Sequence, residues 1–167
     1  MTDPLIRRAT ADDVDIWRAL RLDGIERHPE AFMMSAEAAR AIPVERDAAA
    51  MDIHPRWLVF LDGVGVGFVG LHPNKLERAR HRAEIGPLYV SPAARGRGVA
   101  VALIEQAMAH GRAQGIWQFE LFVNDQNTGA QRLYQRLGFI QAGAIPNAIL
   151  GADGPERDIL MIRTEAP

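Results

Sequence analysis

The stretch SPAARGRGVA, Ser91 to Ala100, sets Arg95 and Arg97 against Gly96 and Gly98 at the mouth of a helix-like segment. The first N–H groups of a helix have no intrahelical partner, and the helix macrodipole adds partial positive charge there. Glycine lets the backbone close on a ligand with no Cβ in the way, so the combination suits an anion with several oxygens. A strand-to-helix loop with solvated arginines satisfies the same spacing. A second glycine-rich stretch, GVGFVG from Gly65 to Gly70, matches G-x-G-x-x-G on paper. No helix follows it: Pro73 and Asn74 turn the chain, and Asp62-Gly63 has already turned it. A glycine-bearing hairpin is the better reading there.

Proton transfer beside such a loop needs a carboxylate or a phenol. Glu84 lies in AEIGPLYVSP, just ahead of the loop, and Glu120 lies in IWQFELFV beyond it. Either can equally be a surface strand residue. Tyr134 shares a helical stripe with Ala130, Leu133 and Leu137, which by period alone makes it a core tyrosine. Asn127 precedes that helix and caps it well whatever else it does; Asn124 is the weaker candidate of the two.

The elements that must position these groups follow from local signals. LIRRA begins a strand, and Thr10 with Asp12 and Asp13 opens a helix whose apolar face is Val14, Trp17, Leu20 and Ile25, running to about Arg27. Pro29 interrupts it, Ser35 caps a short helix, and Pro43 fits the first turn of another over VERDAAAM. RWLVFLDGVGVGFVGLHP reads as strand, Asp-Gly turn and strand. AEIGPLYVSP is a third strand, with Gly86-Pro87 an irregularity inside it. Val99 to about Gly111 is helical, and Trp117, Phe119, Leu121 and Val123 share one face of the next strand. Gly138 stops the following helix. FIQAGAI and RDILMIRT are expected as two strands, separated by a loop around NAILGADGPE. Strand–helix alternation in the second half predicts a layered α/β domain with at least one parallel strand pair.

Bulk properties narrow the classes. The 167 residues suit one domain, 1–167, and are 48% apolar and 24% charged. A net charge of -2 gives no general attraction to nucleic acid or to an anionic membrane, so an anion site must be local. No apolar run approaches the roughly 18 residues of a membrane span, and MTDPLIRRATADD carries no signal-peptide core. This chain has no cysteine, which excludes disulfides and a cysteine nucleophile on it and points weakly to the cytoplasm. His28, His54, His72, His81 and His110 show no metal-ligand spacing, and no metal is expected.

Arg95-Gly96-Arg97-Gly98-Val99-Ala100 resembles the R/Q-x-x-G-x-G/A signature of the GNAT superfamily of N-acetyltransferases, and LYVSPAARGRGVAVALIEQA is similar to its acetyl-CoA-binding strand–loop–helix. Downstream, NDQNTGAQRLYQRLGF is similar to the family's N-x-x-A-x-x-L-Y-x-x-x-G-F segment at Asn127, Ala130, Leu133, Tyr134, Gly138 and Phe139. The resemblance implies a mixed, mostly antiparallel central sheet of about seven strands, splayed at the fourth and fifth, with helices on both faces. It implies that amides of Arg97, Gly98, Val99 and Ala100 bind the coenzyme A diphosphate, with Arg95 and Gly96 in the same loop, and it sets Asn127, with Asn124 the weaker candidate, near the pantetheine arm. The pantetheine arm would lie along Leu88, Tyr89 and Val90. It makes Tyr134 the general acid, and Glu84, or failing that Glu120, the general base. The implied activity is transfer of acetyl from acetyl-CoA to a primary amine by direct attack in a ternary complex. An acyl-CoA-binding sensor of the same fold, without turnover, is the competing class, and a transferase of longer acyl chains differs only near the thioester. One departure bears on the acceptor. Family members that acetylate ribosomal-protein N-termini have a carboxylate where this chain has Phe122, which turns expectation toward a small-molecule or other peptide amine. The acceptor pocket would draw on His28 to Ser35 and on Pro146 to Glu156, with Asp153, Glu156 and Asp158 able to attract a cation. A homodimer is left open.

Overall fold

A computed structural model describes residues 3–166; Met1, Thr2 and Pro167, the ends of the expected 1–167 domain, lie outside the described residues. Seven strands form one sheet: β1 (Leu5–Arg8), β2 (Arg56–Leu61), β3 (Val64–Pro73), β4 (Arg82–Val90), β5 (Gln118–Asn124), β6 (Ile140–Gly151) and β7 (Gly154–Thr164). Their spatial order is β1-β2-β3-β4-β5-β7-β6. Every neighbouring pair is antiparallel except β4 and β5. Five helices cover the sheet: α1 (Val14–Arg27), α2 (Ala36–Ala41), α3 (Val44–Ile53), α4 (Val99–Ala113) and α5 (Thr128–Arg136).

Burial explains the layering. All six residues of β2 are buried, so the strand must be covered on both faces, and its side chains divide between two cores. Trp57, Val59 and Leu61 join α4 residues Val99, Leu103, Ile104, Ala107 and Met108, with Phe119, Leu121 and Tyr134. Leu58 and Phe60 face the other way and join Val14, Trp17, Leu20 and Ile25 of α1 with Met51 of α3. Complete burial of one such Leu or Phe contributes roughly 2–3 kcal/mol. The two helical layers on opposite faces therefore follow from alternation in the central strands.

Local chemistry sets most ends. The Ser35 hydroxyl accepts from the Ala38 amide at 3.1 Å and caps α2. Pro43 stands at the cap of α3, one place earlier than the first-turn position expected of it. Gly138 terminates α5 with a positive φ of 84°. There Gly138 N–H donates to Gln135 O and Phe139 N–H to Tyr134 O, both at 3.0 Å, the paired bonds of a Schellman stop. The sequence expectation fails at the end of the chain. NAILGADGPE is not a free loop: β6 runs on to Gly151 and β7 starts at Gly154, making a long hairpin whose register slips between Ile145 and Ile149. Main-chain pairing outweighs the turn-rich composition there, and Asp153 alone of the three acidic candidates sits at the tip.

The three glycines of GVGFVG lie inside β3. A Cβ on Gly70 would come within 2.6 Å of the Gly86 carbonyl oxygen. That glycine serves close backbone approach at an irregularity in β4.

Candidate active site

β4 and β5 pair at only three positions, Arg82 with Gln118, Ala83 with Phe119 and Glu84 with Glu120, and then separate. At the same level the β3–β4 register shifts between Val69 and Leu71. Next to this shift Gly86 turns its carbonyl to His72, whose Nε2 lies 2.7 Å away. A cleft of about 770 Å3 fills the separation, a size usual for small-molecule and cofactor sites.

The register decides which backbone groups face the cleft. Ser91 N–H donates to Val66 O at 2.8 Å, which makes Ser91/Val66, and two residues back Tyr89/Phe68, the hydrogen-bonded pairs. Leu88 and Val90 alternate with these, so their N–H and C=O groups point away from β3 into the gap. The Val90 carbonyl accepts from Arg95 Nε at 3.2 Å, as that direction requires. Tyr89 lies in the cleft wall by its ring, not by its main chain. Its backbone pairs with β3, and its hydroxyl donates to Asp23 of α1.

At the cleft mouth Gly96 and Gly98 both take a φ of 73°, and a Cβ on either would meet nothing within 4 Å. Gly98 caps α4. The first helical bond runs from Ala102 N–H to Gly98 O, so the amides of Val99, Ala100 and Val101 precede any intrahelical acceptor. Arg97 is exposed. Arg95 is exposed as well and reaches across to His28 Nε2 at 2.8 Å.

Tyr134 projects from α5 into the far wall of the cleft. Its ring meets Phe139 edge-on at 6.1 Å, and the Schellman stop fixes its carbonyl. Among the described residues nothing hydrogen-bonds its hydroxyl. Burial pushes the phenol up to about 12, so it stays protonated across the physiological range.

The two carboxylate candidates differ. Glu120 pairs with Arg82, whose Nη2 lies 2.9 Å from Oε2, and that guanidinium holds the carboxyl below its usual range. Among the described residues Glu84 has no such partner. It lines the cleft, and burial plus the Glu120 charge raises its pKa. Asn127 caps α5 by accepting from the Ala130 amide at 3.1 Å. Asn124 donates to Glu156 Oε2 at 2.6 Å and accepts from the Gln126 amide. Both asparagines border the cleft.

Residues 17–139 match the acetyltransferase (GNAT) family profile. The chain belongs to the GNAT acetyltransferase family. That is a family of acyl-CoA-dependent transferases. A mycothiol acetyltransferase of Salinispora tropica is 35% identical over 148 residues, 86% of this chain but 46% of that protein. This chain thus spans less than half the length of that relative. Among solved structures, a GNAT acetyltransferase from Streptococcus pneumoniae superposes with a TM-score of 0.86 at 21% identity, covering 98% of this chain and 100% of that one. A phosphinothricin acetyltransferase from Sinorhizobium meliloti, solved with acetyl-CoA, gives 0.82 at 17% identity, covering 98% and 89%. These likenesses show a shared GNAT fold.

The GNAT cleft also contains side chains that the sequence reading did not single out. Trp17, Arg21, Arg56 and His72 line it, as do Phe32, Met33 and Met34 of the expected acceptor loop. Asp158, named only within a loop of acidic residues, is buried in its wall. The available signal for Arg56 was a charge heading an otherwise apolar strand, RWLVFL. Among the described residues no group of His, Asp and Glu forms a metal site, and no helix is long and apolar enough to cross a membrane.

Proposed function

We propose that this GNAT domain transfers the acetyl group of acetyl-CoA to a primary amine by direct attack. The observation that carries the reading is the open edge of β4 beside a helix start with free amides. A diphosphate fits the Arg97 to Ala100 backbone, where the two glycines leave open space and no side chain competes. The pantetheine amides find main-chain partners at Leu88 and Val90, so the arm completes the interrupted sheet. Bound acetyl-CoA supplies an activated thioester carbonyl. The relatives named mycothiol acetyltransferases support acetyl as the transferred group.

The chain's own groups divide the proton work. Glu84 takes the proton that the amine sheds as its C–N bond forms, directly or through water. An inward-facing amide of β4 donates to the carbonyl oxygen as it gains charge, an interaction that strengthens in the transition state. Tyr134 donates to the sulfur as the C–S bond breaks. With its pKa near 12, full transfer to a thiolate of pKa about 8.5 is uphill. The phenol therefore acts chiefly through a hydrogen bond that grows with charge on sulfur. This chain has no cysteine to offer for a thioester relay, and direct attack is the simplest route.

The test follows free thiol release from acetyl-CoA across an amine panel, beside calorimetry of acetyl-CoA binding. Tyr134→Phe is expected to lower kcat by about 100-fold, the low end for general acid catalysis, with coenzyme affinity nearly unchanged. Unchanged kcat removes the acid assignment. Tight acetyl-CoA binding with no acceptor turned over favours a sensor.

A further inference from the structure

Arg56 opens β2 and is 7% exposed, yet it lines the cleft. None of its guanidinium nitrogens has a hydrogen-bond acceptor among the described residues, and Nη1 is sealed from solvent. The guanidinium instead stacks, its carbon 4.3 Å from the centre of the Trp17 ring. Arg21 stacks on the same indole at 4.2 Å, but Arg21 is already neutralised, with Nη2 2.8 Å from Asp47 Oδ2. Asp47 also pairs with Arg18, so that carboxylate serves two other cations. A buried guanidinium left without an acceptor is costly, and a ligand carboxylate is the group whose two oxygens match its fork.

The rest of the lining makes the arrangement dipolar. Strand alternation puts Arg56, His72 and Glu84 on the α1 face of the sheet, opposite the core that holds Trp57, Leu71, Ala83 and Ile85. Register sets Arg56 across from Gly70 and His72 across from Glu84. Arg56 and Glu84 therefore stand two strand spacings apart across the sheet and two residues apart along it, roughly 12 Å, on one floor. Asp158 of β7, opposite Asn124 of β5, faces the same side. It is 4% exposed, and its Oδ1 has no partner among the described residues. Burial with the charges of Glu156 and Asp125 raises its pKa. Burial lowers the His72 pKa, and its Nε2 is taken up by the Gly86 carbonyl. Thus one wall offers an unpaired cation and the other two unpaired carboxyl groups.

We infer that the acceptor is a small amine that also bears a carboxylate, held by Arg56 above the Trp17 ring while its amine faces Glu84 and Asp158. This rests on the acetyl-transfer reading and names its substrate class. Phe32 and Met34, in the same wall, favour an apolar substituent between the two charged ends.

A binding experiment separates this from the transfer reading. In the presence of coenzyme A, calorimetry compares N-acetylmethionine with N-acetylmethioninamide, product-like probes that differ only in the carboxylate. The free acid is expected to bind at least 30-fold tighter. Arg56→Met should abolish that difference, and Arg56→Lys, which keeps charge without the fork, should retain part of it. Acetyl-CoA affinity should be unchanged in both variants, which reports that they fold. The free amino acid should likewise exceed its amide in kcat/KM for thiol release. Equal binding of acid and amide, binding of neither, or a preference that survives in Arg56→Met overturns the inference and leaves acetyl transfer standing. No binding of acetyl-CoA itself is the failure of the transfer reading.

Discussion

Glu84 and Glu120 face each other across the last pairing that β4 and β5 share, and their inequality has a kinetic consequence. Arg82 keeps Glu120 ionised, and the resulting charge disfavours a second negative charge on Glu84. A base of raised pKa loses activity as pH falls through that pKa, so the acidic limb of kcat/KM should lie above the ordinary glutamate range near 4.3. Glu84→Gln should remove that limb. Glu120→Gln should move it to lower pH, because the repelling charge goes and Arg82 is released. A pH–rate profile of both variants checks this; loss of the limb in Glu120→Gln alone would exchange their roles. Gly70 offers a second test. Gly70→Ala forces a Cβ against the Gly86 oxygen, and relieving it means moving β4 at the irregularity. The expected outcome is a loss of about 1–3 kcal/mol in chemical denaturation, with coenzyme affinity weakened as well.

The first helical layer is anchored to the sheet by Arg7, whose two terminal nitrogens each lie 2.7 Å from an oxygen of Asp13. Asp13 also accepts from the Thr10 amide at 2.9 Å. Together, with the Arg7 bond foremost, these hold the carboxyl down at about 2. A depressed folded-state pKa means stability fully present above the unfolded value near 3.8 and lost as pH falls toward 2. Asp13→Asn should cost on the order of 1–2 kcal/mol at neutral pH, and the gap from the parent should close in that acid window when urea midpoints are compared. Such elements announce themselves locally. Thr10 with two aspartates, Asp62-Gly63 between apolar runs and Gly138 after a helical stripe each carry a single-residue reason for the boundary seen. The β6–β7 arms do not, because pairing over a long hairpin depends on the partner strand, not on Asn, Gly and Pro nearby. Arg56 was hidden for a related reason: what singles it out is the absence of an acceptor, and only the packed structure can reveal that. The glycine loop and Tyr134 stood out in the sequence as motifs, but the gap that joins them exists only once β4 and β5 part.

Across the molecule, two half-sheets, β1-β2-β3-β4 and β5-β7-β6, share three paired positions and one cleft. A ligand that binds only the folded form raises stability by about 2.7 kcal/mol at a hundred times its Kd. For a chain of this size that corresponds to a rise of roughly 5–10 °C in Tm. Thermal melts with acetyl-CoA should show it, and a far smaller rise would mean that acetyl-CoA does not bind the folded form with that affinity. The register of β4 carries a finer signature. Its amides alternate between those locked into β3 and those turned toward the gap, so deuterium uptake along one strand should read like a comb. Without ligand, Leu88 and Val90 should label quickly while Tyr89 between them labels slowly; with coenzyme present, the fast teeth should disappear and the slow one stay as it was.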